Sequence, residues 1–352
     1  MKRILHHGRL AAIPLVLAPV FTYASQETPA QQPLPVPDVP RVSVGGAIEV
    51  EAYRASPYVG DDQSDIVVAT GALGLEAMIN EWISAEISAL YEENDTPLEI
   101  DTASVMLGPS GGPWSLHAGQ FYVPFGVYET TMVSDPLTLE LGETRETAIA
   151  AGIRRGGFHA DLYAFNGDLE DEDRIDSIGA SAGLAATVGG ADLTLSAGYL
   201  NNLGESDGLE EMVHAANAGG DASEVGAWTA SAVVGIGEVM LVAEYLVATD
   251  AFDATEIPYD GAGARPGAWN VEASHAFDLM GRPASAGISC QGTREAVALG
   301  LPEQRILAGL SVEILPHTAL SFEYARDEDY DTADGGTGET AGTFTTQLAV
   351  AF

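Results

Sequence analysis

Residues 178–188 read IGASAGLAATV. Ile178, Ala180, Ala182, Leu184, Ala186 and Val188 fall on one side of an extended chain, and Gly179, Ser181, Gly183, Ala185 and Thr187 on the other, because successive strand side chains point to opposite faces. One face is apolar and the other small or polar. The split recurs at 304–314, QRILAGLSVEI, with Ile306, Ala308, Leu310, Val312 and Ile314 opposite Arg305, Leu307, Gly309, Ser311 and Glu313. It returns at 343–352, TFTTQLAVAF, where Phe344, Thr346, Leu348, Val350 and Phe352 alternate with Thr343, Thr345, Gln347, Ala349 and Ala351.

Sixteen such segments follow one another from 41–54 to 343–352. Their links alternate in length. Tight ones such as NE (80–81), PSGGP (109–113), GG (189–190), GE (237–238) and LPH (315–317) take turns with long ones such as GDLEDEDR (167–174) and DAFDATEIPYDGAGARPG (250–267). Tight turns at one end and long acidic loops at the other are the pattern of outer-membrane barrels. A soluble sandwich buries its apolar face in a compact core and seldom fills the other face with Gly, Ala, Ser and Thr over so many strands. The fold expected is all-β, a transmembrane antiparallel barrel of about 16 strands, porin-like, over residues 41–352. At that strand number the lumen is wide enough to hold water.

The first 24 residues read as a secretory signal, with Lys2, Arg3 and Arg9 ahead of the apolar run Leu10 to Val20 and a small-residue site near Ala24. Residues 25–40 follow as a periplasmic tether, with prolines at 29, 33, 35, 37 and 40 favouring extended chain. Removing the signal leaves 11 of the 14 basic residues against all 52 acidic ones, a formal charge of −41. Such a surface repels nucleic acid, whose binding depends on Lys and Arg neutralising phosphates.

No catalytic, metal or cofactor constellation emerges, and the chain reads as a non-enzyme. Gly179-Ala180-Ser181-Ala182-Gly183 matches G-x-S-x-G, but Ser181 sits within an uninterrupted alternation and not on the strand-to-helix turn that a nucleophile elbow needs. The histidines are scattered, and Cys290 reads as a small packing residue. The acidic loops at 168–173 and 329–339 are solvated loops in their ordinary reading. Divalent cations could bridge them to lipopolysaccharide, but in the second loop the spacing of a calcium loop is missed by one residue.

One segment departs from the alternation. Residues 124–146 join the fifth and sixth expected strands and carry Glu129, Asp135, Glu140, Glu143, Arg145 and Glu146 among Met132, Val133, Leu137, Leu139 and Leu141. Apolar residues would be wasted on a loop in water, so docking against the inner wall is expected, with 124–146 as constriction loop. Phe121, Tyr122, Phe125 and Tyr128 are placed to stack a solute beside it. Arg145 reads either as a solute contact or as an ion-pair partner of Glu143 or Glu146. Arg154 and Arg155 are further candidates for gripping carboxylates, although their place at an expected tight turn also fits plain solvation.

GQFYVPFG (119–126) followed by SDPLTLELGETRETA (134–148) resembles the LbtU-family siderophore porins of the outer membrane. The resemblance implies uptake of a ferric siderophore, or a similar small iron chelate, without a plug domain or energy transducer. It implies no catalytic residue. Some relatives carry an amino-terminal helical segment where this chain has its proline-rich stretch. Against it stand a general or cation-selective diffusion porin and a structural or adhesion barrel whose acidic loops bind Ca²⁺. Trimers are common among porins of this size, so a homotrimer is expected by analogy.

Overall fold

The computed structural model describes residues 40–167, 169, 174–217 and 222–352; the expected signal, nearly all of the tether and most of the acidic stretch 168–173 lie outside them. Sixteen antiparallel strands close into one barrel: β1 (Arg41–Ser56), β2 (Gln63–Met78), β3 (Ile83–Tyr91), β4 (Glu99–Leu107), β5 (Trp114–Tyr122), β6 (Arg145–Arg155), β7 (Phe158–Phe165), β8 (Ser177–Val188), β9 (Ala191–Leu200), β10 (Ala227–Ile236), β11 (Val239–Ala248), β12 (Gly267–Leu279), β13 (Arg282–Arg294), β14 (Gln304–Leu315), β15 (Thr318–Glu328) and β16 (Thr340–Ala351). Each pairs with its neighbours in sequence, and β1 pairs with β16. Lipid offers no partner to an open edge, so closure is obligatory in a membrane. The seam is sealed by reciprocal backbone bonds between Gly46 and Phe352, at 2.9 and 3.0 Å. Gly46 is required there: a Cβ would lie 2.6 Å from the Phe352 ring and 2.8 Å from the Ala72 carbonyl oxygen.

The alternation reads out as expected. Ile178, Leu184, Val188, Ile306, Phe344 and Leu348 are exposed on the outer face. Gly179, Gly183, Leu307, Thr345 and Gln347 turn inward and are buried. Aromatic side chains collect near the strand ends, as interfacial girdles do. Toward the long loops, Tyr199 and Trp228 are cross-strand neighbours on β9 and β10, their rings tilted by 46° with centres 4.7 Å apart, and Tyr245 pairs with Trp269 across β11 and β12. At the short-turn end Trp82 and Trp114 are 6.1 Å apart. The protein is therefore an outer-membrane β-barrel, with apolar side chains facing lipid and polar ones enclosing the lumen.

Among the described residues two short α-helices interrupt the β pattern, and neither is visible in the period-two signal: α1 (Leu137–Gly142) inside the 124–146 loop and α2 (Glu210–Asn217) in the loop between β9 and β10. A two-stranded ribbon, 258–259 with 262–263, decorates the loop between β11 and β12.

Candidate functional site: the lumenal constriction

The segment between β5 and β6 folds into the barrel and travels round its inner wall. It leaves β5 past β9 and β10, where the Phe125 carbonyl comes so close that a Cβ on Gly198 would lie 2.1 Å from it. Three wall glutamates then clasp it in turn. Glu244 on β11 accepts the backbone N–H groups of Val127 and Tyr128 at 2.8 and 3.0 Å. Glu272 on β12 accepts from the Thr131 N–H at 2.7 Å and from the hydroxyls of Thr130 and Thr131. Glu323 on β15 accepts from the N–H groups of Val133, at 2.7 Å, and Ser134, and from the Ser134 hydroxyl. All three glutamates are buried. An ionised carboxylate out of water must be hydrogen-bonded to be tolerated, and charge-assisted bonds of this kind are each worth about 1.5–3 kcal/mol. Between the second and third clasps, Met132 lies over Gly287 and Gly309, where only glycine leaves room for its thioether.

At Ser134 the chain reverses. Leu137 N–H donates to Gln291 of β13 at 3.0 Å, and the Thr138 hydroxyl donates back to Glu244 at 3.0 Å, so the start of α1 doubles back toward β11. Leu137 and Leu141 enter an apolar core with Leu203, Leu209, Val213, Phe252, Ile257 and Ala264 from the neighbouring long loops. Hydrogen bonds fix this roof to the constriction: Asp207 N–H to the Glu143 carbonyl at 2.9 Å, Ser206 hydroxyl to the Leu141 carbonyl at 3.1 Å, and Arg145 N–H to the Asp207 carboxylate at 3.1 Å. The loop thus lines the lumen from β9 to β15 and leaves β16 and β1–β4 bare.

That bare wall is acidic. Glu49 and Glu51 on β1 share the Gln347 amide, at 3.4 and 3.0 Å, and Asp101 on β4 takes hydrogen bonds from Ser88 and Tyr122 at 3.0 and 2.7 Å. Asp135, Glu140 and Glu143 stand on the loop, and Glu92 follows β3. Burial, then repulsion from Asp207, Asp135 and Glu140, pushes the Glu143 carboxyl up to about 10. Asp135 is held well above the usual carboxylate range by burial and by Glu140, Glu92, Glu49 and Glu51. Among the described residues two arginines stand near these carboxylates, and both are paired. Arg145 pairs with Glu99 at 2.6 Å and Asp101 at 3.5 Å, and Arg305 grips Asp327 through two bonds of 2.8 and 3.0 Å.

The residues singled out from the sequence separate into distinct places. Asp135, Glu140, Glu143 and Arg145 gather at the constriction. The partners of Arg145 are Glu99 and Asp101, not Glu143 or Glu146, because β4 lies only two strands from β6 and both project inward past β5. Glu146 is buried on the lumenal face of β6, and Glu129 is exposed on the loop. Phe125 is buried in the loop's anchoring core, and Phe121 stacks on His117 with ring centres 3.9 Å apart. Phe121 and Tyr122 line a small cavity of about 140 Å³ beneath the loop, together with His117, Arg154 and Asp161. Tyr128 is half-buried, its backbone in the left-handed region at φ 55°, where the first clasp bends the chain. Arg154 and Arg155 border an open cavity of about 730 Å³ among the tight turns, with Trp82, Trp114 and His159. Among the described residues no three His, Cys, Asp or Glu side chains gather as metal ligands. The sequence reading missed Glu244, Glu272 and Glu323. Their signal was present: single glutamates at mid-strand positions of inward parity, where the small or polar face prevails.

A closed sixteen-stranded barrel with an inward-folded third long loop defines a porin-type outer-membrane channel. The comparisons with solved structures agree. The chain superposes on the outer-membrane channel DcaP of Acinetobacter baumannii with a TM-score of 0.61 at 12% identity, covering 89% of this chain and 98% of that one. An anion-selective porin from Comamonas acidovorans gives 0.63 at 14%, covering 89% and 100%. OmpF of Salmonella typhi in complex with daunomycin gives 0.61 at 10%, covering 88% and 97%. At such identities the likeness is one of fold. No protein-family model matches the chain. By sequence it is 29% identical to a UPF0422 protein of Coxiella burnetii (strain RSA 493 / Nine Mile phase I), over 84% of this chain and 66% of that protein. It is also 29% identical to a UPF0422 protein of Legionella pneumophila (strain Paris), over 90% and 68%. The chain spans about two thirds of the length of these relatives.

Proposed function

We propose that this porin passes a ferric siderophore, or a similar small iron chelate, by diffusion through the constricted lumen and without an energy transducer. The reading rests on the resemblance of residues 119–148 to the LbtU-family siderophore porins. The observation that supports it is that this same segment folds into the barrel and is held against its inner wall by three carboxylate clasps, so a solute crossing the lumen would pass the part of the chain that resembles a siderophore porin. Under this reading Asp135, Glu140, Glu143 and Arg145 are the groups a permeating chelate passes, and Tyr122 borders its exit beneath the loop.

Uptake of labelled ferric siderophores into cells with and without the gene tests the cargo. Equal uptake in both strains would overturn the iron reading. Deleting residues 129–143 tests the loop: single-channel conductance should rise and solute preference should flatten. A general or cation-selective diffusion porin is the second reading, favoured by the acidic bare wall. Strong cation selectivity in a KCl gradient, together with no iron-dependent growth phenotype, would point to it. A structural or adhesion barrel would show no permeability in liposome swelling.

One of the similar structures, OmpT of Vibrio cholerae, is a trimer form. A homotrimer is proposed for this chain as well, checked by the mass of the complex in detergent. Acidic outer loops bridged to lipopolysaccharide by divalent cations complete the proposed surroundings.

A further inference from the structure

We propose that the constriction contains a transit site for an organic cation, an ammonium-bearing solute, with Asp135 as its principal counter-charge and Glu92, Glu49 and Glu51 completing its acidic rim. The inference deepens the reading of the protein as a chelate porin: the permeating complex would carry a protonated amine.

Three observations converge on Asp135. It sits where the loop reverses between the Glu323 clasp and α1, and it is 8% exposed. Its carboxylate accepts no hydrogen bond from any described residue: the adjacent Ser134 N–H and hydroxyl are spent on Glu323, while Arg145 and Arg305 are spent on Glu99, Asp101 and Asp327. The charges it faces, Glu92, Glu49, Glu51 and Glu140, are all of its own sign. A buried carboxylate with neither hydrogen bond nor counter-ion is among the least favourable arrangements in a protein. In the empty channel burial and these like charges keep the proton on Asp135; an entering ammonium group supplies the missing donor and counter-charge, and the proton leaves to the lumenal water.

The surroundings specify the kind of cation. Among the described residues no three carboxylates stand close enough to enclose a metal ion, so the charges match positive groups spread along a molecule. The rim keeps free acceptor capacity. Glu92 takes one bond, from the Thr96 hydroxyl at 2.6 Å, and Glu51 one, from Gln347 at 3.0 Å, whereas an ionised carboxylate offers about four lone-pair sites. An ammonium group, with three donors, suits such partly filled acceptors.

The test uses the purified full-length protein in planar bilayers with KCl, and spermidine as probe. Spermidine should reduce the single-channel current, and Asp135→Asn should raise its half-blocking concentration at least tenfold. Glu92→Gln and Glu49→Gln should each raise it a few-fold, and they read the same site if Asp135→Asn does not assemble. Asp260→Asn, on the exposed long loop between β11 and β12, should leave it within twofold. Equal half-blocking concentrations in wild type and in the Asp135, Glu92 and Glu49 variants would overturn the site, as would an equal effect of the Asp260 change, which would mark a diffuse charge effect. The two readings fail separately. Lost ferric-chelate uptake with spermidine block intact removes only the iron cargo, while intact uptake with block indifferent to Asp135 removes only the cation site.

Discussion

The backbone N–H of Val133 donates to the Glu323 carboxylate across 2.7 Å, joining the tip of the inner loop to a strand 190 residues further along the chain. With the matching contacts at Glu244 and Glu272, it makes the position of the constriction depend on three wall side chains. Replacing all three by alanine should free the loop, raise single-channel conductance severalfold and widen the size limit in liposome swelling. Single replacements should each weaken loop anchoring by about 1–3 kcal/mol, since each leaves two or more donors unpaired in the interior. Conductance unchanged in the triple variant would show that the α1 core alone holds the loop.

Selectivity should rise with pH through the neutral range. Burial outweighs the Thr96 hydrogen bond at Glu92, and repulsion from Asp95, Asp101 and Glu49 adds to it, so its carboxyl is pushed up to about 7. Below that value the group is neutral; above it the rim gains a negative charge. Reversal potentials in a KCl gradient should therefore report stronger cation preference at pH 8.5 than at pH 5.5, and Glu92→Gln should flatten the difference.

Stability should move the other way. The Glu143 carboxyl keeps its proton in the folded protein up to about 10, while in the unfolded chain it is released near its ordinary value of 4.5. The unfolded state thus binds fewer protons between these limits, and folding becomes less favourable as pH rises across that window. Glu143→Gln removes the titration. It should leave thermal stability unchanged at pH 4 and increase it at pH 9, measured by the temperature at which the folded band is lost in semi-native electrophoresis.

Arg145 masks two carboxylates at the rim. Arg145→Gln should release Glu99 and Asp101 to the lumen and shift the reversal potential further toward that of an ideal cation channel. Spermidine block should strengthen rather than weaken. A shift toward anions would mean that Arg145 acts on solutes directly.

The seam between β1 and β16 allows no side chain at Gly46. Gly46→Ala brings its new methyl against the Phe352 ring, which can swing, and the Ala72 carbonyl, which cannot. Overpacking of this kind costs about 1–3 kcal/mol, and a lowered transition temperature with normal conductance is expected.

Much of the barrel could be read from residue order because each strand declares its faces locally: Ile178 to Val188 alternates without reference to any other segment. The sixteen strands, the tight-turn end and the inward loop all follow from such local information. What stayed hidden depends on distant partners. Arg145 meets Glu99 and Asp101 because closure brings β4 close to β6, and no spacing along the chain announces it. Glu244, Glu272 and Glu323 look like ordinary lumenal acids until the loop they hold is in place. The helix α1 is only six residues long, too short for a helical period to stand out beside Pro136, and it is stabilised by the roof around Leu137 and Leu141.

The clasps also bear on biogenesis. The loop is synthesised early, yet every wall carboxylate that seats it lies on β11, β12 or β15, more than a hundred residues later. The last of these clasps, Glu323 on β15, lies in the final quarter of the protein, so the bottleneck is fully seated only as the cylinder is completed. An assembly intermediate stalled before β11 would present residues 127–138 to periplasmic chaperones and proteases, which makes this stretch the natural checkpoint between a half-built wall and a finished channel.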